Sequence, residues 1–267
     1  MKKTVVRVVA LDMIFLLFIV LSSIFSGALS DLLYFGAYLV PLGAFAWISK
    51  GEVREKLSLG IKARDAVMCL PLIAPVIGVT IGLSALVSLL LSFAGVGSAE
   101  PLTGGALELI TLHALAPAVL EEALFRYVPL SLIAPYSRKS AVFVSALLFA
   151  VAHCNVAQIP YAFAAGIIFA VIDLACESVL PSVVLHLVNN LASVFWLWDV
   201  SSQNFRMPFV ISVAALSAIS VALVAIFGER YVKKVSFLKN KDDKISTAKE
   251  VWVFAIVCLL LAVGALL

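Results

Sequence analysis

The sequence predicts an all-α fold: a polytopic bundle of about eight or nine transmembrane helices, N-terminus in the cytoplasm, forming one integral membrane domain over residues 1–267. Two observations predict it. The chain is 63% apolar and 13% charged, with a mean hydropathy of +1.14, whereas a soluble globular domain holds about 45–50% apolar and about 25% charged residues. Apolar runs near the length that crosses a bilayer, about 20 residues, also follow one another along nearly the whole chain. No soluble domain and no nucleic-acid partner fit this composition; the bilayer itself is the expected surrounding.

Bounding the apolar runs by charge and turn residues gives spans near 9–27, 32–49, 66–94, 106–131, 140–156, 159–176, 180–198, 208–228 and 251–267. The first follows Lys2, Lys3 and Arg7 and ends in Ser26-Gly27-Ala28, which has the look of a signal-peptide cleavage site. Asp12 interrupts its apolar core, which favours a retained helix. The third is longer than one crossing needs, so it tilts or breaks at Pro71 or Pro75. The fourth carries most of the ionisable side chains, and the ninth is short. Threaded with the N-terminus inside, all but two of the 19 Lys and Arg residues fall in segments 1–8, 50–65, 132–139 and 229–250. Arg206 lies outside and Arg126 within a helix; the rest obey the positive-inside rule. The 229–250 loop reads as a solvated connection. Cys69, Cys154, Cys176 and Cys258 sit in apolar stretches without metal spacing and read as small hydrophobes.

Ionisable groups within spans are costly and mark candidate functional sites. Here they are Asp12, Glu108, His113, Glu121, Glu122, Arg126, His153, Asp173 and His186, with Asn190 as a polar amide. At about 100° per residue, Glu122 and Arg126 share a helix face and can pair. Glu121 points away from both, with no partner on its own helix and able to take and return a proton. His186 and Asn190 are also four apart, as are Phe149 and His153. Counted at about 1.5 Å per residue, Glu121, His153, His186 and Asn190 reach similar depths, while His113 lies roughly 12 Å further toward the outer face. One Glu, two His and one Asn can therefore converge and hold a water or a metal. Asp12, Glu108, His113 and Asp173 read as interhelical hydrogen-bond partners, Asp173 being the one best placed to line a cavity. Arg126 could also snorkel to the membrane edge or meet a substrate carboxylate.

Three patterns in order on separate helices give the chain a family resemblance. They are EExxxR in Glu121-Glu122-Ala123-Leu124-Phe125-Arg126, FxxxH in Phe149-Ala150-Val151-Ala152-His153, and HxxxN in His186-Leu187-Val188-Asn189-Asn190. Together they resemble the CAAX protease and bacteriocin-processing (Abi) family of intramembrane proteases, over residues from about 106 to 195. The resemblance implies peptide-bond hydrolysis of a membrane-associated protein or peptide in the cytoplasmic half of the bilayer. Eukaryotic members remove the last three residues of prenylated CAAX proteins; some bacterial relatives are linked to bacteriocin immunity or processing. Carried over, Glu121, His153, His186 and Asn190 are the expected catalytic residues, and Glu122, Arg126 and Phe149 the supporting ones. One mechanism has Glu121 activate a water beside His153, with His186 and Asn190 holding the oxyanion. The other makes His153, His186 and Glu121 ligands of Zn²⁺, although no two histidines share the helical turn of an HExxH site. From other classes, a small proton-coupled transporter would need a polar path to both faces and often a repeat of spans, and no repeat is found. A non-enzymatic scaffold or immunity factor would keep its phenotype when Glu121 is lost.

Overall fold

The computed structural model describes residues 1–50, 55–93, 95, 104–198, 203–226, 228–241 and 243–265. Helix α1 (Lys2–Ile24) turns back into α2 (Ala28–Ile48) through Gly27, whose φ of 64° is a conformation open to glycine and strained for other residues. Helix α3 (Ala63–Cys69) passes through a 3₁₀ turn, Leu70–Leu72, into α4 (Ile73–Phe93). The long third run thus breaks at Pro71, one of the two prolines expected to break it.

The fourth rod consists of α5 (Ala106–Leu109), α6 (Ala116–Glu122) and α7 (Val128–Ile133), joined by two wide π turns, Ile110–Leu115 and Ala123–Tyr127. Each π turn is followed, one residue on, by a proline, Pro117 and Pro129. A proline in a helix lacks the N–H for residue i−4 and its ring crowds that carbonyl, so the widened turn lets the rod continue through both. Beyond it come α8 (Arg138–Ala152), α9 (Ile159–Cys176), α10 (Leu180–Trp198), α11 (Gln203–Ile226), α12 (Gly228–Lys234) and α13 (Lys249–Gly264).

The described chain is therefore all-helical in its regular elements, with a helical rod at each of the nine expected places. The number of membrane crossings is a different matter. Among the described residues four helical stretches, α1, α2, Leu70–Phe93 and α9, are long and apolar enough to cross a membrane, and a fifth if the pair Ile211–Leu223 and Gly228–Lys234, bent by 77°, counts as one. The eight or nine spans expected from apolar runs are not all of that kind. Helix α8 has 15 residues and α13 has 16, and the fourth rod carries Glu121, Glu122 and Arg126. Its polar groups and much of α8 are enclosed by other helices, so neither needs a continuous lipid-facing surface.

One core holds α1, α7, α8 and α13 together through Val5, Val8, Leu130, Val144, Leu148, Val251 and Phe254. Phe15 of α1 meets Tyr38 and Phe125 edge-on, at centroid distances of 5.1 and 5.2 Å, and so ties the α1–α2 hairpin to the fourth rod. Because lipid tails are as apolar as these side chains, packing and interhelical hydrogen bonds hold such a bundle together. Small residues matter for the same reason: a Cβ on Gly166 of α9 would lie 3.0 Å from Ala146 Cα of α8, so the two backbones touch only because Gly166 is bare.

Candidate active site

The site begins with a proline. Pro129 cannot donate to Phe125, four residues back, and the released carbonyl is taken by Ser145 Oγ of α8 and by Arg126 Nη1 at 3.3 Å. Arg126 is thereby anchored deep inside the protein. Its guanidinium stacks 4.1 Å above the Phe149 ring, and its Nε lies 3.4 Å from Glu122 Oε2, close enough for an ion pair without the alignment of a hydrogen bond. Both side chains are 0% exposed. The pairing read from the i, i+4 spacing is present, but Arg126 neither snorkels nor reaches a cavity, which removes it as a receptor for a substrate carboxylate.

Glu122 uses its other oxygen on His186: Oε1 lies 2.7 Å from Nδ1. A carboxylate can only accept, so Nδ1 carries a proton and Nε2 is turned outward. There Nε2 lies 3.8 Å from Glu121 Oε2. The two consecutive glutamates of the first motif thus hold one imidazole from both sides. Helix α10, which carries His186, is fixed at its start by Asp173 of α9, whose Oδ1 accepts from Ser182 N–H at 3.1 Å. This satisfies one of the first-turn donors, and it is what buried Asp173 does, since it lies behind the cavity and does not line it.

His153 ends α8 as its C-cap residue, before Cys154 at φ 45°. Its Nδ1 stands 2.8 Å from the Phe149 carbonyl, which makes Nδ1 the donor and leaves Nε2 for other partners. Phe149 therefore holds His153 through its carbonyl and Arg126 through its ring face, and meets both His153 and His186 edge-on at 4.8 and 5.6 Å. Glu121 receives the Tyr38 hydroxyl of α2 on Oε1 at 3.3 Å.

Glu121, His153, His186 and Asn190, from three separate helices, line one cavity of about 330 Å³. The cavity also takes in His113, which the sequence reading set apart as too far toward one face; it stretches far enough along the fourth rod to include both levels. Its floor includes the buried Phe149, Phe169 and His186, and its exposed rim includes Leu112, His113 and Ser193. Counted at about 1.5 Å per residue from the ends that adjoin the basic segments, His186 lies roughly 9 Å along its helix, Glu121 roughly 18 Å and His113 roughly 30 Å. Along the fourth rod and α10 the lining thus runs from buried His186, near the basic end of the bundle, to exposed His113, far from it.

Four further residues of the site are not among those expected from the sequence. Tyr38 touches Glu121, and Thr80 of α4 lies 2.6 Å from Asn189 Oδ1. Asn189 and Tyr34 line the cavity beside Asn190. Asn189 has a signal, a second amide within the HxxxN stretch, whereas Tyr38 and Thr80 look like ordinary residues of apolar helices.

Among the described residues no three His, Cys, Asp or Glu side chains are grouped as a metal ion would need. The imidazoles of His186 and His153 each keep Nδ1 on an oxygen and leave Nε2 free, an orientation that a metal ligand also takes. What the Zn²⁺ reading with His153, His186 and Glu121 as ligands lacks is the close grouping of the three side chains.

Residues 103–192 match the family described as type II CAAX prenyl endopeptidase Rce1-like, an interval that contains all three motifs. No curated protein and no solved structure matches the chain.

Proposed function

From a chain assigned through residues 103–192 to the CAAX protease family, we propose an intramembrane endopeptidase that hydrolyses a peptide bond of a membrane-associated protein or peptide, its catalytic core being residues 106–195. The observation that carries this reading is the shared cavity of Glu121, His153, His186 and Asn190.

In the proposed mechanism, Glu121 is the general base. The Tyr38 hydroxyl holds Oε1, so Oε2 is the oxygen that accepts a proton from water. His153, with Nδ1 donated to Phe149, offers Nε2 as the second contact for that water. The hydroxide attacks the scissile carbonyl, and Glu121 passes the proton to the departing amine. His186 stands between two carboxylates, Nδ1 facing Glu122 and Nε2 facing Glu121, and acts in this mechanism as the imidazolium. Its Nε2–H and the Asn190 amide then stabilise the oxyanion in a site shielded from bulk water. Glu122 keeps the Nδ1 proton in place, Arg126 balances Glu122, and Phe149 steadies Arg126. Substrate enters over the rim at Leu112, His113 and Ser193.

Comparative membrane proteomics of cells carrying the wild type or Glu121→Gln tests the reading. A precursor that accumulates only with the variant, and is cleaved by the purified wild-type protein, is the expected result. Equal cleavage of that precursor by the variant would refute it.

A further inference from the structure

We propose that a second cavity, where α1 and α13 begin, binds the phosphate headgroup of an anionic membrane lipid. This cavity, about 540 Å³, is lined by Lys2, Lys3, Val6 and Arg7 of α1 and by the segment Thr247–Glu250, and shares no residue with the first. Three lysines, Lys2, Lys3 and Lys249, line it with one carboxylate, Glu250. Backbone dipoles add to the same sign. Helices of 23 and 16 residues start here, and neither N-cap, Met1 or Ala248, offers a side-chain acceptor to the first turn. The open N–H groups of both helices thus contribute positive potential at the place where the lysines gather.

An amphiphile fits better than a soluble anion because of what lies below the charges. Exposed apolar residues run down α1 from the cavity, at Val6, Met13 and Leu17, and down α13 at Val253, Ile256 and Leu260. The spacings of seven and four, and of three and four, keep each set on one helix face. The two helices pack against each other and run the same way from the cavity. A phosphate held by Lys2, Lys3 and Lys249 would leave two acyl chains lying along these stripes, whereas a free phosphate would use none of them. The inference does not depend on the protease reading.

The test uses the full chain, purified in detergent and titrated with phosphatidylglycerol or with phosphatidylcholine of the same acyl chains, the bound lipid being counted by native mass spectrometry. The wild type should retain phosphatidylglycerol in preference, by roughly 5-fold for each cation engaged. The triple variant K2Q/K3Q/K249Q should lose the preference, and Glu250→Gln should strengthen it. A matched variant, K239Q/K241Q/K244Q, removes equal charge elsewhere on the chain and should keep it. The proposal is overturned if the wild type shows no preference, if the first triple variant retains it, or if both triple variants lose it alike. Inorganic phosphate forms the last arm: competition by millimolar phosphate as effective as that of the lipid would make this a soluble-phosphate site and defeat the lipid assignment.

Discussion

At the scale of single residues, two consecutive glutamates with opposite surroundings divide the proposed chemistry between them. Glu122 is fully buried between Arg126 and His186, while Glu121 is partly exposed to the cavity. Their replacements should therefore fail differently. Glu121→Gln should lower kcat by about 10²–10⁴-fold and leave the melting temperature in detergent near the wild-type value. Glu122→Gln should destabilise the protein by about 3–5 kcal/mol, because it strands the buried Arg126 charge. Adding Arg126→Met should recover much of that loss, since removing both charges costs less than removing one. An E122Q protein as stable as the wild type would show that the pair does not hold the rod. Tyr38 belongs with these residues as a positioning group. Tyr38→Phe keeps the packing against Phe15 and deletes only the hydroxyl on Glu121, so kcat should fall about 10-fold while KM and thermal stability stay unchanged. The sequence made Glu121, Glu122 and His186 legible because ionisable groups are conspicuous in apolar helices. It was silent on Tyr38 and Thr80, whose contacts arise across 83 and 109 residues of chain and leave no local pattern.

Helices set the aim of these side chains, and here the reading from periodicity was good for existence and poor for continuity. All nine apolar runs became helical rods, and the proline break near Pro71 was visible. The two π turns of the fourth rod were not, because hydropathy records where apolar residues fall and not how many residues one turn contains. Their effect is considerable. The second opens directly after Glu122 and places Arg126 where it takes the Phe125 carbonyl that Pro129 leaves free. The contact between α8 and α9 is the other element-scale determinant, because α8 ends in His153 and α9 supplies Phe169 to the cavity floor. Gly166→Ala would put a methyl carbon 3.0 Å from the Ala146 backbone, so one helix must move. The expected cost is about 1–3 kcal/mol, read as a lower melting temperature, together with lost activity as His153 shifts. Wild-type stability in that variant would mean that the two helices have slack.

For the whole molecule, the informative feature is how charge is distributed relative to the cavity. Lys62, Arg138, Lys139 and Lys234 lie at the bundle end nearer His186, whereas Leu112, His113 and Ser193 are the exposed residues of the cavity lining. A cytoplasmic basic end, as the positive-inside rule expects, would turn the rim toward the other leaflet. Access from the cytoplasmic half, which the family resemblance suggested, would instead require the chain to be inverted or the substrate to enter between helices. Labelling distinguishes these arrangements. In a background with the four cysteines replaced by alanine, Ser26→Cys in the α1–α2 turn should react with a membrane-impermeant maleimide on intact cells, and Lys244→Cys only after permeabilisation. Ser193→Cys then reports on the rim itself: protection by a bound peptide inhibitor would place substrate there. The reverse pattern for Ser26→Cys and Lys244→Cys would turn the bundle over, bringing the rim and the water reaching Glu121 to the cytoplasmic side. The fold and the proposed chemistry would stand in either case, but the leaflet from which a substrate is drawn would change, and with it the class of proteins to search for an accumulating precursor.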